Sequence, residues 1–270
     1  MKRLDGKVAV VMGAGSPTDG WGIGSATAMT FGFEGAHVVC VDGSREAAER
    51  TVELIRDEGG SASAVVADAR DDADVAEVFA SVANDHGRLD VLDNNVDVPR
   101  LDGGVGRADD EWDLLMTANV TTAYLAMKHA VPLMRAGGSG SIINLSSVAA
   151  IRYGGPLHSG YAAAKAALNH LTRVTAAEYA SDQIRVNAIL PGLIRTPMLE
   201  PWVAPCHDSG EPEHLWLTTV EDVPMGRAGE AWDVAHAALF FASEASRFVT
   251  GMELVVDGGM SLCVGAPTAG

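Results

Sequence analysis

The chain has 270 residues, 47% of them hydrophobic and 20% charged, and its formal net charge is −17. This length suffices for one large domain with a substantial core, and the share of apolar residues argues against disorder. The negative charge disfavours nucleic acid and anionic lipid as partners. No apolar run approaches the ~20 residues of a membrane span, and the N-terminal MKRLDGKVAVVMG lacks the pattern of a signal peptide.

The cysteines and histidines argue against two further kinds of site. The three cysteines, Cys40, Cys206 and Cys263, are odd in number and form no Cys-x-x-Cys pair. This pattern favours a reduced, cytoplasmic setting over a disulfide framework. None of the eight histidines belongs to a His-Glu-x-x-His motif, so we expect no metal site.

Short apolar runs alternate with longer amphipathic stretches along the chain. Runs such as KVAVVM and HVVCV are continuous and stop at glycine or aspartate, which is typical of strands buried in a parallel sheet. We predict strands at 7–12, 37–41, 62–67, 89–92, 140–145, 184–190 and 252–256. We predict helices at 25–35, 46–58, 71–86, 109–135, 161–179 and 230–244. The alternation predicts an α/β fold, a Rossmann-like doubly wound parallel sheet of seven strands with helices on both faces.

A glycine-rich turn separates the first predicted strand from the first helix and runs from Gly13 to Gly24. Glycines at this point let the backbone approach a pyrophosphate, which binds at the positive end of the helix. A merely flexible turn is the alternative interpretation, but the position directly after the first strand favours a dinucleotide site.

Asp42 ends the second predicted strand. An acid at this point can hydrogen-bond the adenosine ribose hydroxyls and repels a 2′-phosphate, so we expect NAD rather than NADP. Two alternatives stay open. Asp42 could cap the next helix, although Ser44 is an equally good cap, and Arg45 could bind a phosphate instead.

Tyr161 and Lys165 stand four residues apart in a stretch of strong helix formers, so we expect them on one helical face. The ammonium favours the phenolate, and we expect it to lower the pKa of Tyr161 enough for proton exchange with an alcohol oxygen. Ser147 offers a further hydrogen bond to that oxygen. Tyr124 and Lys128 have the same spacing without a serine upstream, so the spacing alone does not identify the active pair.

The segment 193–227 interrupts the alternation of strands and helices. Its five prolines and two tryptophans predict an irregular excursion. In a compact domain such a segment is usually a lid or a binding loop. We therefore expect a single Rossmann-like domain over 1–270 that combines dinucleotide binding with catalysis, with a substrate lid around 193–227.

Together these features resemble the short-chain dehydrogenase/reductase family over essentially the whole chain, and the motifs follow one another in the family's order. They are Gly13…Gly22-Ile23-Gly24, Asp42, Asp68, Asn94-Asn95, Asn119, Ser147, Tyr161-x-x-x-Lys165, Asn187-x-x-x-Pro191-Gly192, Thr196 and Val256-Asp257-Gly258-Gly259. The resemblance implies an oxidoreductase that transfers a hydride between NAD(P) and a secondary alcohol or ketone.

The resemblance also implies a role for each motif residue. Tyr161 would be the proton donor and acceptor, Lys165 would hold the nicotinamide ribose, and Ser147 would orient the substrate oxygen. Asn119 would anchor a proton-relay water near Lys165, unless it is only a helix-interior asparagine bonded to the backbone. The implied cofactor-binding residues are Gly13, Gly15, Gly22, Ile23, Gly24, Asp42, Asp68, Ala69, Asn95, Val96, Tyr161, Lys165, Pro191, Ile194 and Thr196.

The helices at 109–135 and 161–179 resemble those that pair subunits in the family, and the last strand resembles a second interface. The resemblance thus implies a homotetramer with a small-molecule alcohol or ketone as substrate, and no nucleic-acid or membrane partner. The substrate itself does not follow from the sequence. The candidate wall residues indicate a mainly apolar pocket with a few polar contacts; they are Arg152, Tyr153, His158, Met198, Leu199 and Trp202.

Four departures from the family pattern stand out. The glycine loop carries five extra residues, Pro17–Trp21, and Ser147 lies fourteen residues before Tyr161, one more than is common. The usual Asn-Asn-Ala-Gly reads Asn94-Asn95-Val96-Asp97, and Asp93 replaces an apolar residue at the strand end. The departures leave open a non-redox lyase or a dinucleotide sensor without turnover. The lysine and the glycine loop argue against the lyase, and the complete catalytic set argues against the sensor.

Overall fold

The computed structural model describes residues 2–15, 20–98, 109–152, 159–199 and 220–262, except for the side chains of 109, 110 and 221. Its strands are β1 (Val8–Met12), β2 (His37–Asp42), β3 (Ser61–Val66), β4 (Val91–Asn94), β5 (Gly140–Leu145), β6 (Ile184–Pro191), β7 (Ile194–Arg195), β8 (Gly229–Glu230) and β9 (Glu253–Val256). Its α-helices are α1 (Ile23–Phe33), α2 (Arg45–Asp57), α3 (Asp72–His86), α4 (Asp109–Met116), α5 (Thr122–Gly137), α6 (Ser159–Tyr179) and α7 (Ala231–Ala242).

Seven of the strands form one parallel sheet in the order β3–β2–β1–β4–β5–β6–β9. The chain starts at β1, proceeds outward to β3, and then crosses to β4 on the other side of β1. The predicted fold class is therefore confirmed, and each predicted strand lies within two residues of its expected bounds. Because the direction of winding reverses between β1 and β4, a ligand crevice is expected at the carboxyl ends of these two strands.

The strands are apolar on both faces because helices cover both sides of the sheet. On one side α1, α2 and α7 pack over residues such as Val11, Cys40 and Ile143. On the other side α3, α5 and α6 pack over residues such as Val10 and Ile142. Burial raises the pKa of the Cys40 thiol to about 12, so this cysteine is a small core residue with little thiolate character.

The turn from β1 into α1 needs glycine for steric reasons. Gly13 has a φ of +78°, and a Cβ on Gly24 would stand 2.0 Å from the carbonyl oxygen of Gly13. A Cβ on Gly15 would stand 2.7 Å from Asp42 Oδ2. A side chain at Gly24 would force the first turn of α1 away from β1, and one at Gly15 would displace Asp42 and Ala47. The glycines therefore allow a close approach of backbone segments, which a merely flexible turn would not require.

The helix predicted at 109–135 is interrupted by a π-helical turn, Thr117–Thr121, between α4 and α5. Asn119 lies in this turn, and its Nδ2 donates a hydrogen bond to the carbonyl oxygen of Leu115 at 3.0 Å. A side chain that occupies a carbonyl of the preceding turn competes with the backbone amide and loosens the helix locally. The prediction of one uninterrupted helix is therefore wrong at this turn.

The segment predicted to be irregular, 193–227, is described in its first and last parts. Its first part contains β7, which pairs in parallel with β8 just beyond the segment. Residues 200–219, with three of the five prolines and both tryptophans, lie outside the described residues. Among the helices of the described ranges, none is both long and apolar enough to cross a membrane.

Candidate active site

Three of the predicted catalytic side chains meet at the carboxyl edge of the sheet, between β5 and α6. Ser147 follows β5 by two residues, and Tyr161 lies in the first turn of α6. Tyr161 is 7% exposed, and Lys165, one helical turn further on, is 0% exposed. The Ser147 and Tyr161 side chains line the same cavity. The strand end and the helix start thus bring together residues that are fourteen positions apart in the sequence.

The ammonium of Lys165 has two oxygen partners in the interior. Its Nζ donates to the carbonyl oxygen of Leu145 at 2.9 Å and lies 3.0 Å from Asp97 Oδ1. It also lies 5.6 Å from the centre of the Tyr161 ring. Because an unpaired buried charge is strongly unfavourable, Leu145 and Asp97 are what allow a lysine at this depth.

Asp97 contacts Tyr161 as well as Lys165. The Tyr161 hydroxyl donates to Asp97 Oδ2 at 3.3 Å. Burial raises the pKa of Tyr161 well above its usual value, the negative charge of Asp97 raises it further, and the hydrogen bond with Ser147 lowers it. The expectation that Lys165 lowers the pKa of Tyr161 is therefore wrong for this arrangement, because burial and an adjacent carboxylate favour the neutral phenol.

Asn119 is buried against the segment that follows β4. Its Nδ2 donates to the carbonyl oxygens of Leu115 and Val98, at 3.0 and 3.4 Å, and its Oδ1 accepts from the Val98 amide at 3.3 Å. These backbone partners match the alternative interpretation of a helix-interior asparagine. Because Val98 follows Asp97, the same bonds help to hold the acid in place. The relay water implied by the family resemblance stays a prediction.

A cavity of about 420 Å³ lies between the glycine loop and the Ser147–Tyr161 pair. The predicted site residues that line it are Gly13, Gly15, Gly22, Ile23, Gly24, Asn95, Ser147, Tyr161, Pro191, Ile194 and Thr196. Of the predicted substrate-pocket walls, Arg152, Met198 and Leu199 also line this cavity. The other three, Tyr153, His158 and Trp202, lie outside the described residues.

A second cavity of about 650 Å³ adjoins the first and shares part of its wall, including Gly13, Asn95 and Asp97. The predicted cofactor residues on its remaining wall are Asp42, Asp68, Ala69 and Val96. Every predicted cofactor-binding residue except Lys165 therefore lines one of the two cavities. Together they form an elongated crevice across the carboxyl ends of β1 and β4, where ligands bind in doubly wound sheets.

Two backbone amides orient the carboxylate of Asp42. Its Oδ2 accepts from the Gly15 amide at 3.0 Å, and its Oδ1 accepts from the Ser44 amide at 2.9 Å. The Ser44 hydroxyl caps α2, so helix capping is not the role of Asp42. Arg45, the alternative phosphate ligand, lies on the surface with its Nη1 3.5 Å from Glu49 Oε1.

Asp68 forms a two-point ion pair with Arg70, which sequence reasoning did not single out. Nε and Nη2 of Arg70 donate to Oδ1 and Oδ2 of Asp68 at 2.9 and 2.8 Å. These hydrogen bonds lower the pKa of Asp68. Arg70 lines the second cavity, and its position two residues after Asp68 is a signal that could have indicated the pair.

Asp93, one of the departures from the family pattern, is an acid inside the sheet. It is 1% exposed, and Asn95 Nδ2 donates a hydrogen bond to its Oδ2. Burial raises the pKa of Asp93 to about 7, and the bond from Asn95 offsets part of the rise. Asp93 lines neither of the two cavities, so it is not a ligand-contacting residue, and its contact with the site is the hydrogen bond from Asn95.

The second Tyr-x-x-x-Lys pair is a surface feature. Tyr124 on α5 is 52% exposed, and Lys128 Nζ lies 2.7 Å from Asp72 Oδ2 on α3. Neither Tyr124 nor Lys128 lines either cavity. The same spacing thus occurs in two surroundings, and of the two tyrosines Tyr161 is the one that lines the first cavity.

Several known proteins resemble this chain over almost its whole length. The sequence profile of a family described as enoyl-(acyl carrier protein) reductase matches residues 18–261. A 3-oxoacyl-[acyl-carrier-protein] reductase, FabG, from Thermotoga maritima is 37% identical over 258 residues, which cover 96% of this chain and 99% of that protein. The chain belongs to the short-chain dehydrogenase/reductase family.

Two solved structures extend the likeness to three dimensions. A Burkholderia xenovorans protein assigned to the short-chain dehydrogenases/reductases superimposes with a TM-score of 0.93 at 43% identity, covering 98% of this chain and 100% of that one. A 7α-hydroxysteroid dehydrogenase, solved with NADH and 7-oxo glycochenodeoxycholic acid, gives a TM-score of 0.82 at 30% identity, with 95% of each chain covered. These ligands belong to that dehydrogenase.

As a short-chain dehydrogenase/reductase, this protein is an oxidoreductase of a family that binds a nicotinamide dinucleotide. The residues present fit such a group. Gly13, Gly15, Gly22 and Gly24 present bare backbone to the first cavity at the start of α1, and a Cβ at Gly24 would meet the Gly13 carbonyl oxygen. Asp42 presents an oriented carboxylate to the second cavity.

Further contacts of this short-chain dehydrogenase/reductase could not be predicted. A backbone carbonyl such as that of Leu145 carries no sequence signal. Arg152 Nη1 donates to the carbonyl oxygen of Met260, and both residues line the first cavity. The inserted part of the glycine loop is held at its end, because Trp21 packs on Trp232 with 4.8 Å between ring centres. Residues 17–19 of the insertion lie outside the described ranges.

Proposed function

We propose that this short-chain dehydrogenase/reductase is an NAD-dependent enzyme that moves a hydride between the nicotinamide and a secondary alcohol or ketone, with Tyr161 as proton donor and acceptor. One observation carries the proposal. Ser147 and Tyr161 line one cavity together with the glycine loop, and Lys165 is buried one helical turn behind Tyr161.

The chemistry divides between the cofactor and the chain. A bound nicotinamide supplies or accepts the hydride, and the protein must then supply or remove a proton at the substrate oxygen. Tyr161 exchanges that proton as a general acid or base, and Ser147 holds the oxygen by a hydrogen bond. Lys165 provides the positive charge that balances negative charge at this oxygen.

The proposed preference for NAD rests on Asp42. Its carboxylate is fixed by the amides of Gly15 and Ser44 and lines the second cavity, so it can accept hydrogen bonds from ribose hydroxyls. A 2′-phosphate on the same ribose would place like charges side by side, which disfavours NADP.

The substrate side of the first cavity supports a mainly apolar alcohol or ketone. Met198 and Leu199 contribute apolar walls, and Arg152 contributes one cation that is already bonded to Met260. The described ends of 193–227 border this cavity through Ile194 and Asp222, in line with a lid, which stays a proposal. The single domain over 1–270, the homotetramer and the cytoplasmic setting likewise stay proposals.

One observation favours a second candidate, a dinucleotide sensor without turnover. Asp97 is placed against both the phenol of Tyr161 and the ammonium of Lys165, and its charge keeps the phenol neutral. If Asp97 only holds the Tyr161 proton and never passes one on, Tyr161 would not exchange protons with a substrate. The non-redox lyase has no such observation in its favour.

The test is a panel of secondary alcohols and cyclic ketones assayed with NAD, NADP and their reduced forms by nicotinamide absorbance. We expect turnover with higher catalytic efficiency for NAD(H). Asp42→Ala should narrow that preference, whereas Asp72→Ala, which changes a surface carboxylate of α3, should not. Higher efficiency with NADPH than with NADH would refute the cofactor preference. No absorbance change with any pair would refute the oxidoreductase and favour the sensor.

A further inference from the structure

Asp97 is the group in the site that the proposed function leaves without a role. Its carboxylate lies 3.3 Å from the Tyr161 hydroxyl and 3.0 Å from Lys165 Nζ, where the family pattern has glycine. We propose, on the basis of the proposed function, that Asp97 is a fourth catalytic residue. It takes the proton of the Tyr161 hydroxyl during alcohol oxidation and returns it during ketone reduction.

The two carboxylate oxygens of Asp97 differ in a way that suits this role. Oδ2 accepts the hydrogen bond of the Tyr161 hydroxyl, so the proton already points at its acceptor. Oδ1 is buried and close to Lys165 Nζ, but the two groups are not aligned as a hydrogen bond, and no described group donates to Oδ1. The ion pair therefore holds the carboxylate near the site while leaving it able to take up a proton.

Electrostatics favour a transfer in which Tyr161 gains one proton as it loses another, over a transfer that leaves Tyr161 as a phenolate. A phenolate at Tyr161 would be buried and would face a carboxylate 3.3 Å away, and both effects favour the neutral phenol. If Tyr161 gives its proton to Asp97 as it receives one from the substrate, two adjacent anions never form. Lys165 then balances whichever single negative charge the pair carries.

The surroundings of Asp97 also offer a path for the proton to leave. Asp97 lines both cavities, whereas Tyr161 lines only the first. A proton on Asp97 can therefore leave by the second cavity, beside Leu114 and Ala118, without passing the substrate. The backbone next to Asp97 is held by the bonds between Asn119 and Val98.

Charged and titratable groups face Asp97 from three directions. From α6 they are Tyr161 and Lys165. From the walls of the two cavities they are Arg152 and Asp222 in the first, and Asp42, Asp68, Arg70 and Asp74 in the second. The π-helical turn contributes Asn119, which is neutral and acts through Val98.

The proposed step balances in atoms and charge. In oxidation the substrate O–H bond breaks and its proton joins the Tyr161 oxygen. The former Tyr161 proton joins Asp97 Oδ2, and the hydride of the substrate carbon reduces the nicotinamide. In reduction the carbonyl oxygen takes the Tyr161 proton, Asp97 re-protonates Tyr161, and the nicotinamide is oxidised.

The decisive variant is Asp97→Asn, which keeps the size and polarity of the side chain but cannot take up a proton. We expect kcat to fall by roughly 10²-fold, within the range of general acid–base groups, with NADH affinity and KM little changed. Asp97→Glu should recover part of the rate. Asp72→Asn is the matched control, because Asp72 forms an ion pair with Lys128, the lysine of the second Tyr-x-x-x-Lys pair. This variant should leave kcat unchanged.

A second readout needs neither cofactor nor turnover. Tyrosinate absorbance is measured against pH in Asp97→Asn and in the parent. The curve of the same protein carrying Tyr161→Phe is subtracted from each, which leaves the signal of Tyr161. Because the carboxylate disfavours the phenolate, Tyr161 should ionise at lower pH in Asp97→Asn. Circular dichroism checks folding, and Asp97→Ser serves as the variant if Asp97→Asn does not fold.

Several outcomes would overturn the proposal. These are an Asp97→Asn enzyme as fast as the parent or faster, an unchanged titration of Tyr161, or a loss confined to NADH affinity, which would mean that Asp97 only holds the loop. If the parent turns over, Tyr161→Phe is inactive and Asp97→Asn is active, the relay is wrong and the proposed function stands. A parent without nicotinamide-linked turnover refutes both.

Discussion

Tyr161 and Tyr124 each precede a lysine by four residues, and their surroundings give opposite expectations. Tyr161→Phe should lower kcat by roughly 10²–10⁴, because the hydroxyl is the general acid–base group, and NADH affinity should change little. Lys165→Met should lose turnover and also bind NADH more weakly. Rates are followed by NADH absorbance after circular dichroism has confirmed folding.

The matched controls for that prediction are Tyr124→Phe and Lys128→Met. Both residues lie on the surface of α5, where side-chain pairs contribute only ~0.2–0.5 kcal/mol, so kcat should stay within about twofold. A Tyr161→Phe enzyme that keeps more than about a tenth of the parent rate would contradict the assignment. An inactive Tyr124→Phe enzyme would contradict it equally.

Asp93 predicts a pH dependence of stability. Its pKa is about 7 in the folded protein and about 4 when unfolded, so between these values the folded state holds one more proton. The contribution of this group to the free energy of unfolding is therefore greatest below about pH 4 and falls by about 1.4 kcal/mol per pH unit up to about pH 7. Asp93→Asn keeps a hydrogen-bond acceptor for Asn95 and removes this decrease of the free energy of unfolding with pH.

The measurement is urea unfolding of Asp93→Asn and of the parent across that pH range. The free energy of unfolding of Asp93→Asn should increase relative to that of the parent as pH rises to about 7, and the difference between the two proteins should then level off. Asp72→Asn is a control without this trend, because Lys128 and His129 lower the pKa of Asp72, so its stabilisation is already complete above about pH 4 and the difference from the parent should stay constant up to about pH 7. A constant difference between Asp93→Asn and the parent would contradict the prediction.

At the scale of elements, the packing of α1 on β1 depends on the missing Cβ of Gly24. In Gly24→Ala the new atom would lie 2.0 Å from the Gly13 carbonyl oxygen, so α1 must shift. Overpacking of this kind typically lowers the free energy of unfolding by ~1–3 kcal/mol, and the displaced helix start should also weaken NADH binding. Thermal unfolding and NADH fluorescence titration measure the two effects.

Gly137→Ala is the matched control for that helix variant. Gly137 ends α5, and a Cβ there would meet nothing within 4 Å. Alanine is the better helix former by up to ~1 kcal/mol, so Gly137→Ala should be neutral or stabilising and should not affect NADH binding. Equal losses in the two glycine variants would show that the close approach at Gly24 is not the cause.

At the scale of the whole molecule, the prediction is a homotetramer. Trp112 on α4, Tyr124 on α5 and Val174 on α6 are exposed apolar side chains on the helices expected to pair subunits. Light scattering at micromolar concentration should give a tetramer mass, and Val174→Glu should reduce it. Leu54→Glu changes an exposed apolar residue of α2, which is not one of the helices expected to pair subunits, and should leave the mass unchanged. A monomer mass for the parent would refute the prediction.

The sequence by itself determined the fold class and most of the candidate site. Continuous apolar runs ending at glycine or aspartate indicated buried parallel strands, because a strand covered on both faces needs apolar residues at every position. The glycine turn, Asp42, Ser147, Tyr161 and Lys165 were predicted because their order and spacing are local properties of the chain. All of these residues lie at the carboxyl edge of the sheet.

The tertiary structure alone decided which charges meet. Asp97 and Lys165 are 68 positions apart, and no spacing rule connects them. The pKa of Tyr161 is raised where the sequence predicted a lowered value, because burial and the neighbouring carboxylate of Asp97 both favour the neutral phenol. The π-helical turn at Asn119 likewise depends on side-chain bonds that periodicity does not record. Local pattern is set by sequence neighbours, whereas the electrostatics of a buried group are set by whatever the fold places beside it.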